Sequence, residues 1–386
     1  MAIVCFALSP QTRAVDTPHT PDPPPLSATN TADGGLALSG VTGFYNSAFG
    51  IYALLSNGAA SFNTGVGAGA LFTNTASNQT AVGAAALFSN STGEFNTATG
   101  VFALFSNTEG ESNVAIGDNT LLLNTTGSFH TAIGSGALQN CIAPPDFAGN
   151  TAIGAGALNR DTTGNFNIAI GDSALFSNTT GGVNTAIGLD ALISNTIGQQ
   201  NTATGANALF SNIEGTGNTA TGVFALFSNT GINNTAVGIN ALQANTTGAS
   251  NIGLGVNAGS NLSTGDNNID IGNPANGGEA NTIRIGQQGL QTATFIAGIS
   301  GTTVTGTAVV VDGNGQLGVA PAGSPLSANE LLKQQRVVQE LKATTERQAA
   351  VIALQEGQIN ALTAGLQKVS AQLETSKPAP RVVNNP

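Results

Sequence analysis

Residues that could carry acid–base, nucleophilic or metal chemistry are few in this chain of 386 residues, which contains two histidines and two cysteines. His19 lies in a proline-rich stretch, and His130 stands where neighbouring segments of similar sequence carry asparagine. We therefore interpret His130 as a substitute for asparagine rather than as a base or a ligand. The acidic residues are scattered and do not recur at the spacing of metal ligands. We predict that the protein is not an enzyme and has no catalytic, cofactor or metal site.

The first residues carry a targeting pattern. An apolar run followed by small residues predicts a signal peptide over 1–14, truncated because its basic n-region is missing. A proline-rich leader over 15–29 follows. Removal of the signal peptide would take Cys5 with it and leave Cys141, so we predict no disulfide framework and interpret Cys141 as a small apolar filler. The expected localisation is secreted or on the cell surface.

The charge balance is acidic, with 21 Asp and Glu against 10 Lys and Arg. A polyanionic surface repels phosphate backbones, so we exclude nucleic acid as a partner. No later segment approaches the ~20 apolar residues of a membrane span, and we predict no transmembrane anchor in the chain. Three aspartates are interpreted as solvated turns: Asp118, Asp172 and Asp190.

An internal repeat occupies most of the chain. Its marker is the glycine that closes the pentad Asn-Thr-Ala-Ile-Gly, and ten of the fourteen intervals between marker glycines are 17 residues long. Asn30–Gly34 is a degenerate opening copy. The marker glycines are Gly50, Gly67, Gly83, Gly100, Gly117, Gly134, Gly154, Gly171, Gly188, Gly205, Gly222, Gly238, Gly255, Gly272 and Gly286.

Each pentad predicts a short β-strand. The residue three before the glycine is β-branched in fourteen of fifteen copies, the residue just before the glycine is usually aliphatic, and alanine lies between them in eleven. Strand alternation puts the apolar pair on one face and the alanine on the other. We predict that the pair faces the core and the alanine faces outward. On this interpretation Asp270 and Arg284 share an outward column and form an exposed ion pair.

A column of leucines follows the glycines by four residues, and asparagine comes three residues after the leucine in ten of the twelve coils. A single 17-residue unit cannot bury these side chains, whereas stacked coils pack leucine on leucine and let asparagines bond along the stack. We predict an all-β parallel solenoid of about fifteen coils over 30–286. The structural leucines are Leu54, Leu71, Leu87, Leu104, Leu121, Leu138, Leu158, Leu175, Leu192, Leu209, Leu226 and Leu242.

One coil is irregular, because the interval between Gly134 and Gly154 is 20 residues and contains two prolines. We predict a loop over 139–149 that bulges from one corner. The loop could bind a ligand, but we favour a tolerated insertion at a surface corner.

The repeat stops after Gly286. We expect a β cap or connector over 287–320, with strands at Thr294–Ile299 and Thr307–Val311, and then a linker over 321–330. A disordered tail is expected over 374–386.

A heptad pattern over 331–373 predicts a C-terminal α-helical coiled-coil stalk. Polar residues, Thr345 at a position a and Gln at three of six d positions, weaken the core and set its register. Ile and Leu at the a positions favour more than two strands, and we predict a parallel homotrimer. The apolar core positions are Leu331, Val338, Leu341, Ile352, Ile359, Leu362, Leu366, Val369 and Leu373.

The pentads, their Ala-Leu partner and the C-terminal heptads resemble the head repeats of trimeric autotransporter adhesins of the Yersinia adhesin type. Asn267–Gly272, Asn281–Gly286 and Thr294–Ile299 are similar to segments of secreted bacterial head-repeat proteins that carry an endosialidase-type intramolecular chaperone. The resemblance implies a left-handed β-roll in three copies. The chaperone with its self-cleaving serine and lysine, and the adhesins' membrane-spanning strands, have no counterpart here.

The predicted function is that of a secreted or cell-surface fibrous, adhesin-like protein whose extracellular ligand is open. Ice binding is the first alternative, because ten pentads carry Thr or Ser at the second position. Against it, we expect these threonines to share the buried face with the aliphatic residues. A phage-type fibre or spike protein is the second alternative, and it lacks a candidate catalytic group.

Overall fold

A computed structural model describes residues 29–142, 149–291, 293, 309–311, 317–319 and 328–376. The predicted signal peptide, most of the leader, the strand at Thr294–Ile299 and positions 321–327 of the linker lie outside the described residues, as do positions 143–148 of the predicted loop and 377–386 of the predicted tail. Two of these predictions are wrong at their edges, because residues 328–330 of the linker and 374–375 of the tail are helical. The described chain forms two compact units, divided after Leu290.

The first unit is a parallel β-solenoid. Its sheet has sixteen three-residue strands that pair in sequence order, so each coil adds one strand next to the previous one. The strands are β1 (Thr31–Asp33), β2 (Ser47–Phe49), β3 (Thr64–Val66), β4 (Thr80–Val82), β5 (Thr97–Thr99), β6 (Val114–Ile116), β7 (Thr131–Ile133), β8 (Thr151–Ile153), β9 (Ile168–Ile170), β10 (Thr185–Ile187), β11 (Thr202–Thr204), β12 (Thr219–Thr221), β13 (Thr235–Val237), β14 (Ile252–Leu254), β15 (Ile269–Ile271) and β16 (Ile283–Ile285).

Pairing is in register along the whole sheet. Each strand aligns its three residues with the same three positions of the next strand, as Thr185, Ala186 and Ile187 do with the residues of β11. Sixteen strands at the usual ~4.8 Å spacing give a solenoid about 70 Å long. The predicted parallel solenoid of ~17-residue coils is confirmed, and the degenerate copy at Asn30–Gly34 forms its first strand.

The prediction for the two faces of the strands is wrong. The middle residue is buried in every strand from β2 to β15, whereas the first and third residues are half-buried or exposed. The reason is space inside the coil. A Cβ atom at Gly65, the middle residue of β3, would lie 3.3 Å from Leu54 Cγ, so the column has room for a methyl group and little more. Branched side chains therefore point outward.

The leucine column fills the interior opposite the sheet. All twelve leucines are fully buried, and each has a left-handed backbone with φ between 49° and 55°. This conformation is unfavourable for a leucine, but the tight turn it produces puts the side chain in the core. The marker glycines lie where coils come closest. A Cβ atom at Gly188, with φ +135°, would be 2.6 Å from the Gly205 carbonyl oxygen.

Two ladders of buried asparagine side chains close the corners of the coils. In the first ladder, the residue before each strand accepts a hydrogen bond from the backbone N–H of its equivalent in the next coil, as when Asn63 N–H donates to Asn46 Oδ1. In the second, most amides donate to the asparagine one coil earlier, as Asn74 Nδ2 does to Asn57 Oδ1 at 2.8 Å. Most of these buried polar groups are paired along the stack, and the exceptions among the described ladder residues are the side-chain oxygens of Asn124, Asn212 and Asn245.

The second unit contains a short antiparallel pair, β17 (Val309–Val311) with β18 (Leu317–Val319), and the helix α1 (Ala328–Thr375). The hairpin lies in the predicted cap region, 287–320. The helix begins three residues before the predicted heptads and ends two residues after them. No helix among the described residues is long and apolar enough to cross a membrane.

Candidate interaction surface

The outer face of the sheet is the largest regular surface of the solenoid. It consists of two parallel columns, the first and third residues of each strand, and we call it the sheet face. Both columns continue without a gap through β2–β16, because register is preserved at every step. The first column is mainly threonine, and the third is mainly Ile and Val. Apolar side chains in such numbers on one flat surface are typical of an interaction site.

The last strand is the most exposed part of the sheet face, because no described coil follows it. Ile187 is 39 % exposed in the middle of the solenoid, whereas Ile283 and Ile285 in the last strand are 67 % and 72 % exposed. Charged side chains are nearly absent from this face. The two columns can therefore contact another apolar surface without removing a charge from water.

A column of phenylalanines lies just after the leucines. Their rings stack between successive coils, with centroids 4.7 Å apart for Phe72 and Phe88 and 5.0 Å apart for Phe210 and Phe227. These distances match the spacing of coils in a β-solenoid. The rings are half-buried and add dispersion contacts along the stack. Sequence reasoning did not identify this column, although the Leu-Phe pair recurs in six coils.

His130 takes an asparagine's place in the first ladder, as predicted. It is fully buried, and its Nδ1 accepts a hydrogen bond from Asn150 N–H at 3.3 Å. Its Nε2 lies 3.6 Å from Cys141 Sγ, and Cys141 in turn replaces an asparagine in the second ladder. Burial lowers the pKa of His130 to about 4, so the imidazole is neutral at pH 7. A thiol and a neutral imidazole with no exposed surface act here as core groups, not as a nucleophile and base.

Asp161 replaces an asparagine in the second ladder one coil after Cys141. Its carboxyl group accepts hydrogen bonds from Asn178 Nδ2 at 2.6 Å and from Asn150 Nδ2 at 3.2 Å. Burial raises its pKa to about 7, although the hydrogen bond from Asn178 acts in the opposite direction. The sequence does mark this interruption of the ladder, because positions 141 and 161 are the two places where the asparagine three residues after the leucine is missing.

The predicted outward ion pair between Asp270 and Arg284 does not form. The two residues are register partners in β15 and β16, but they belong to the inward column. Asp270 is buried, and burial together with nearby Glu279 raises its pKa to about 6. Arg284 is bound instead to the Glu279 carboxylate, at 2.9 and 3.0 Å from Nε and 2.6 Å from Nη2. Arg284 fits the inward column because β16 is the last strand of the sheet, and its side chain remains 35 % exposed.

The predicted coiled-coil positions are exposed on α1. From Val338 to Leu373 the apolar a and d side chains are between 52 % and 68 % exposed. Of the three aspartates predicted to be solvated, Asp118 and Asp172 are exposed and Asp190 is half-buried. Within the described parts of the chain, no group of three or more His, Cys, Asp or Glu side chains could hold a metal ion.

Comparison with known proteins gives no assignment, since no protein-family model and no curated protein matches this chain.

Proposed function

We propose that this protein is a secreted or cell-surface fibrous structural protein with an adhesin-like role, assembled as a parallel homotrimer. The observation that carries the proposal is the continuous, nearly uncharged sheet face, with a mainly aliphatic column beside a mainly threonine column along the length of the solenoid. Three residues per strand at ~3.3 Å each make this strip about 10 Å wide. With a length of about 70 Å it offers roughly 700 Å² per copy, which a trimer divides between two neighbouring copies.

The helix supplies a second self-association surface. The a and d side chains repeat every seven residues through α1, and a helix whose apolar stripe is exposed from Val338 to Leu373 needs a partner. Once helices associate, the solenoids attached to them are held at a high effective concentration. The helix would therefore act as the trimerisation element and the sheet face as an additional interface.

Resemblance to head repeats of trimeric autotransporter adhesins supports three copies and a left-handed β-roll. The same resemblance and the N-terminal sequence pattern support export to a bacterial surface or beyond it. A protein of this kind acts through the sides and loops of a rod rather than through a cleft. Its ligand would be an extracellular surface or matrix component, and a binding array of glycans and matrix proteins tests this part of the proposal.

Assembly can be tested by placing charges in the helix core. Ile352→Asp with Ile359→Asp puts two carboxylates at a positions, where burying each uncompensated charge is unfavourable. Light scattering should show that the mass falls from three chains to one or that the protein aggregates.

The matched control is Ala353→Asp with Asn360→Asp, which adds the same charge one residue further along, at b positions that face away from the core. The control should remain a trimer. An unchanged trimer for the first variant would show that α1 is not the trimerisation element.

The orientation of the threonines favours a second candidate function, ice binding. The first column of the sheet face faces outward, which removes the objection that its threonines are buried. It is unbroken threonine over four consecutive coils, at Thr185, Thr202, Thr219 and Thr235. Thermal hysteresis of the purified protein decides between the two functions. If the protein is the proposed trimer, we expect no thermal hysteresis, because partner copies would cover the same columns.

A further inference from the structure

A second exposed feature lies at the corner just before the strands. There, four phenylalanines precede β3, β5, β7 and β9, which are alternate strands of the solenoid: Phe62, Phe95, Phe129 and Phe166. We call them the Phe row. Each ring is between 58 % and 62 % exposed. The strands between them follow smaller residues, namely Asn78, Ser112 and Gly149.

The backbone at the Phe row is in an unfavourable conformation. The four phenylalanines have φ between 55° and 63°, the left-handed region that asparagine and glycine tolerate and bulky side chains avoid. Later coils carry such tolerant residues at the same corner, for example Asn233 and Asn267. In the leucine column, burial of the side chain offsets the cost of the left-handed backbone. An exposed phenylalanine ring gains no such burial. Val183, at the same corner of the coil after the row, has φ 59° and is 54 % exposed, so the left-handed turn is common to this corner and the row is distinguished by an exposed ring in alternate coils.

Other exposed rings in left-handed turns have packing partners. Phe102 and Phe224 each lie edge-on against a ring of the stacked phenylalanine column, at 5.6 Å and 5.5 Å. Among the described residues, Phe62 stacks on Tyr45 at 5.2 Å, and no ring packs against Phe95, Phe129 or Phe166. A Cβ atom at Gly149 would lie 3.7 Å from the Phe166 ring, so this ring lies over the intervening coil. The Phe row therefore leaves aromatic surface open.

The spacing of the Phe row identifies the ligand class. Alternate coils place successive rings about 9.6 Å apart, twice the strand spacing. This is also about the length of one disaccharide in an extended β-1,4-linked polysaccharide, in which every second sugar presents the same face. The apolar face of a pyranose ring packs on an aromatic ring, as other flat groups do. Each ring of the row can then contact every second sugar of one straight chain.

The neighbouring side chains favour a neutral polymer that bears hydroxyl groups. Glu94 and Glu111 come directly before Phe95 and Ser112 at the same corner, and their backbone carbonyls accept hydrogen bonds from the next coil. Their carboxylates can accept hydrogen bonds from sugar hydroxyls, and they would repel an acidic polysaccharide.

We propose that the Phe row binds a crystalline β-1,4-glucan, cellulose, by stacking one ring on every second glucose of a surface chain. The proposal names a ligand class for the adhesin-like role proposed above, and in that sense rests on it. It does not depend on the number of copies, because one solenoid contains the whole row.

The test is depletion of the full-length protein from solution by microcrystalline cellulose, with starch granules and chitin as comparison surfaces. The wild type should bind cellulose. Phe95→Asn, Phe129→Asn and Phe166→Asn combined should weaken binding at least tenfold. Asparagine tolerates positive φ, so the triple variant should melt no lower than the wild type, which separates lost binding from lost folding. Val183→Asn changes the same corner of the next coil, beyond the row, and should leave binding unchanged.

A register variant tests the spacing itself. Ser112→Phe with Phe129→Ser keeps the number of rings but moves one of them by a single coil, and should weaken cellulose binding severalfold. Equal binding by wild type and triple variant, or preference for chitin or starch, would overturn the proposal. A change of mass in the triple variant would overturn it too, by making the row a contact between copies. The two proposals can fail separately. If the protein is a trimer that does not bind cellulose, only the cellulose proposal is wrong. If it is a monomer that binds cellulose through the Phe row, only the trimer proposal is wrong.

Discussion

At the scale of single residues, asparagine is the side chain that holds the corners of the solenoid. An amide can donate and accept at once, so a column of asparagines satisfies itself along the stack, whereas a carboxylate can only accept. Asp161 therefore interrupts the second ladder, next to the coil in which Cys141 interrupts it first. Its raised pKa is the electrostatic consequence of placing an ionisable group where the fold requires an amide.

Asp161→Asn should restore the ladder and stabilise the protein at neutral pH. Because the folded-state pKa of about 7 lies above the ordinary 3.8, Asp161 costs no stability below the ordinary value and costs progressively more as pH rises toward 7. About three pKa units correspond to at most ~4 kcal/mol. The difference in melting temperature between variant and wild type should be small at pH 4, grow up to pH 7 and then stay constant.

Asp172→Asn makes the same chemical change at an exposed position and is the matched variant. A difference independent of pH for Asp161→Asn would mean that folding does not raise the pKa of this carboxyl group.

At the scale of one coil, the sequence predicted the elements well and their orientation badly. The repeat length, strand positions and leucine column follow from the periodicity of the pentads. The inward face does not, because hydrophobicity argues for burying Ile and Val, while the narrow coil admits only alanine or glycine. The informative signal was the near-constant small residue in the middle of the strand. Left-handed backbone at leucine and phenylalanine could not be predicted, since neither residue prefers it.

The orientation of the strand can be tested within β10. Ala186→Leu places a large side chain in the filled interior and should destabilise the solenoid by about 1–3 kcal/mol. Thr185→Leu makes the neighbouring residue leucine too, but on the sheet face, and should leave the melting temperature unchanged or raise it. Thermal unfolding of the two variants measures the contrast. The reverse order of stabilities would mean that the alanine column faces outward after all.

At the scale of the whole molecule, both units expose a long apolar surface. The sheet face is continuous through the solenoid and the heptad stripe is exposed from Val338 to Leu373, and the described residues of each unit leave its own surface uncovered. The heptads could be predicted from the sequence because the pattern is local. The sheet face could not, because its prediction depended on the orientation of the strands. The proposed role as a fibre follows from these surfaces and from the stacked, in-register coils of the solenoid.

The most direct test of this account is the mass of the intact chain in dilute solution, measured by light scattering coupled to size exclusion. Each chain has a mass of 38.2 kDa. The account predicts a particle of three chains that stays intact on dilution, because the apolar columns of both units are then covered. A stable, soluble particle with the mass of one chain would contradict it, and would mean that the sheet face is exposed to water in the working protein.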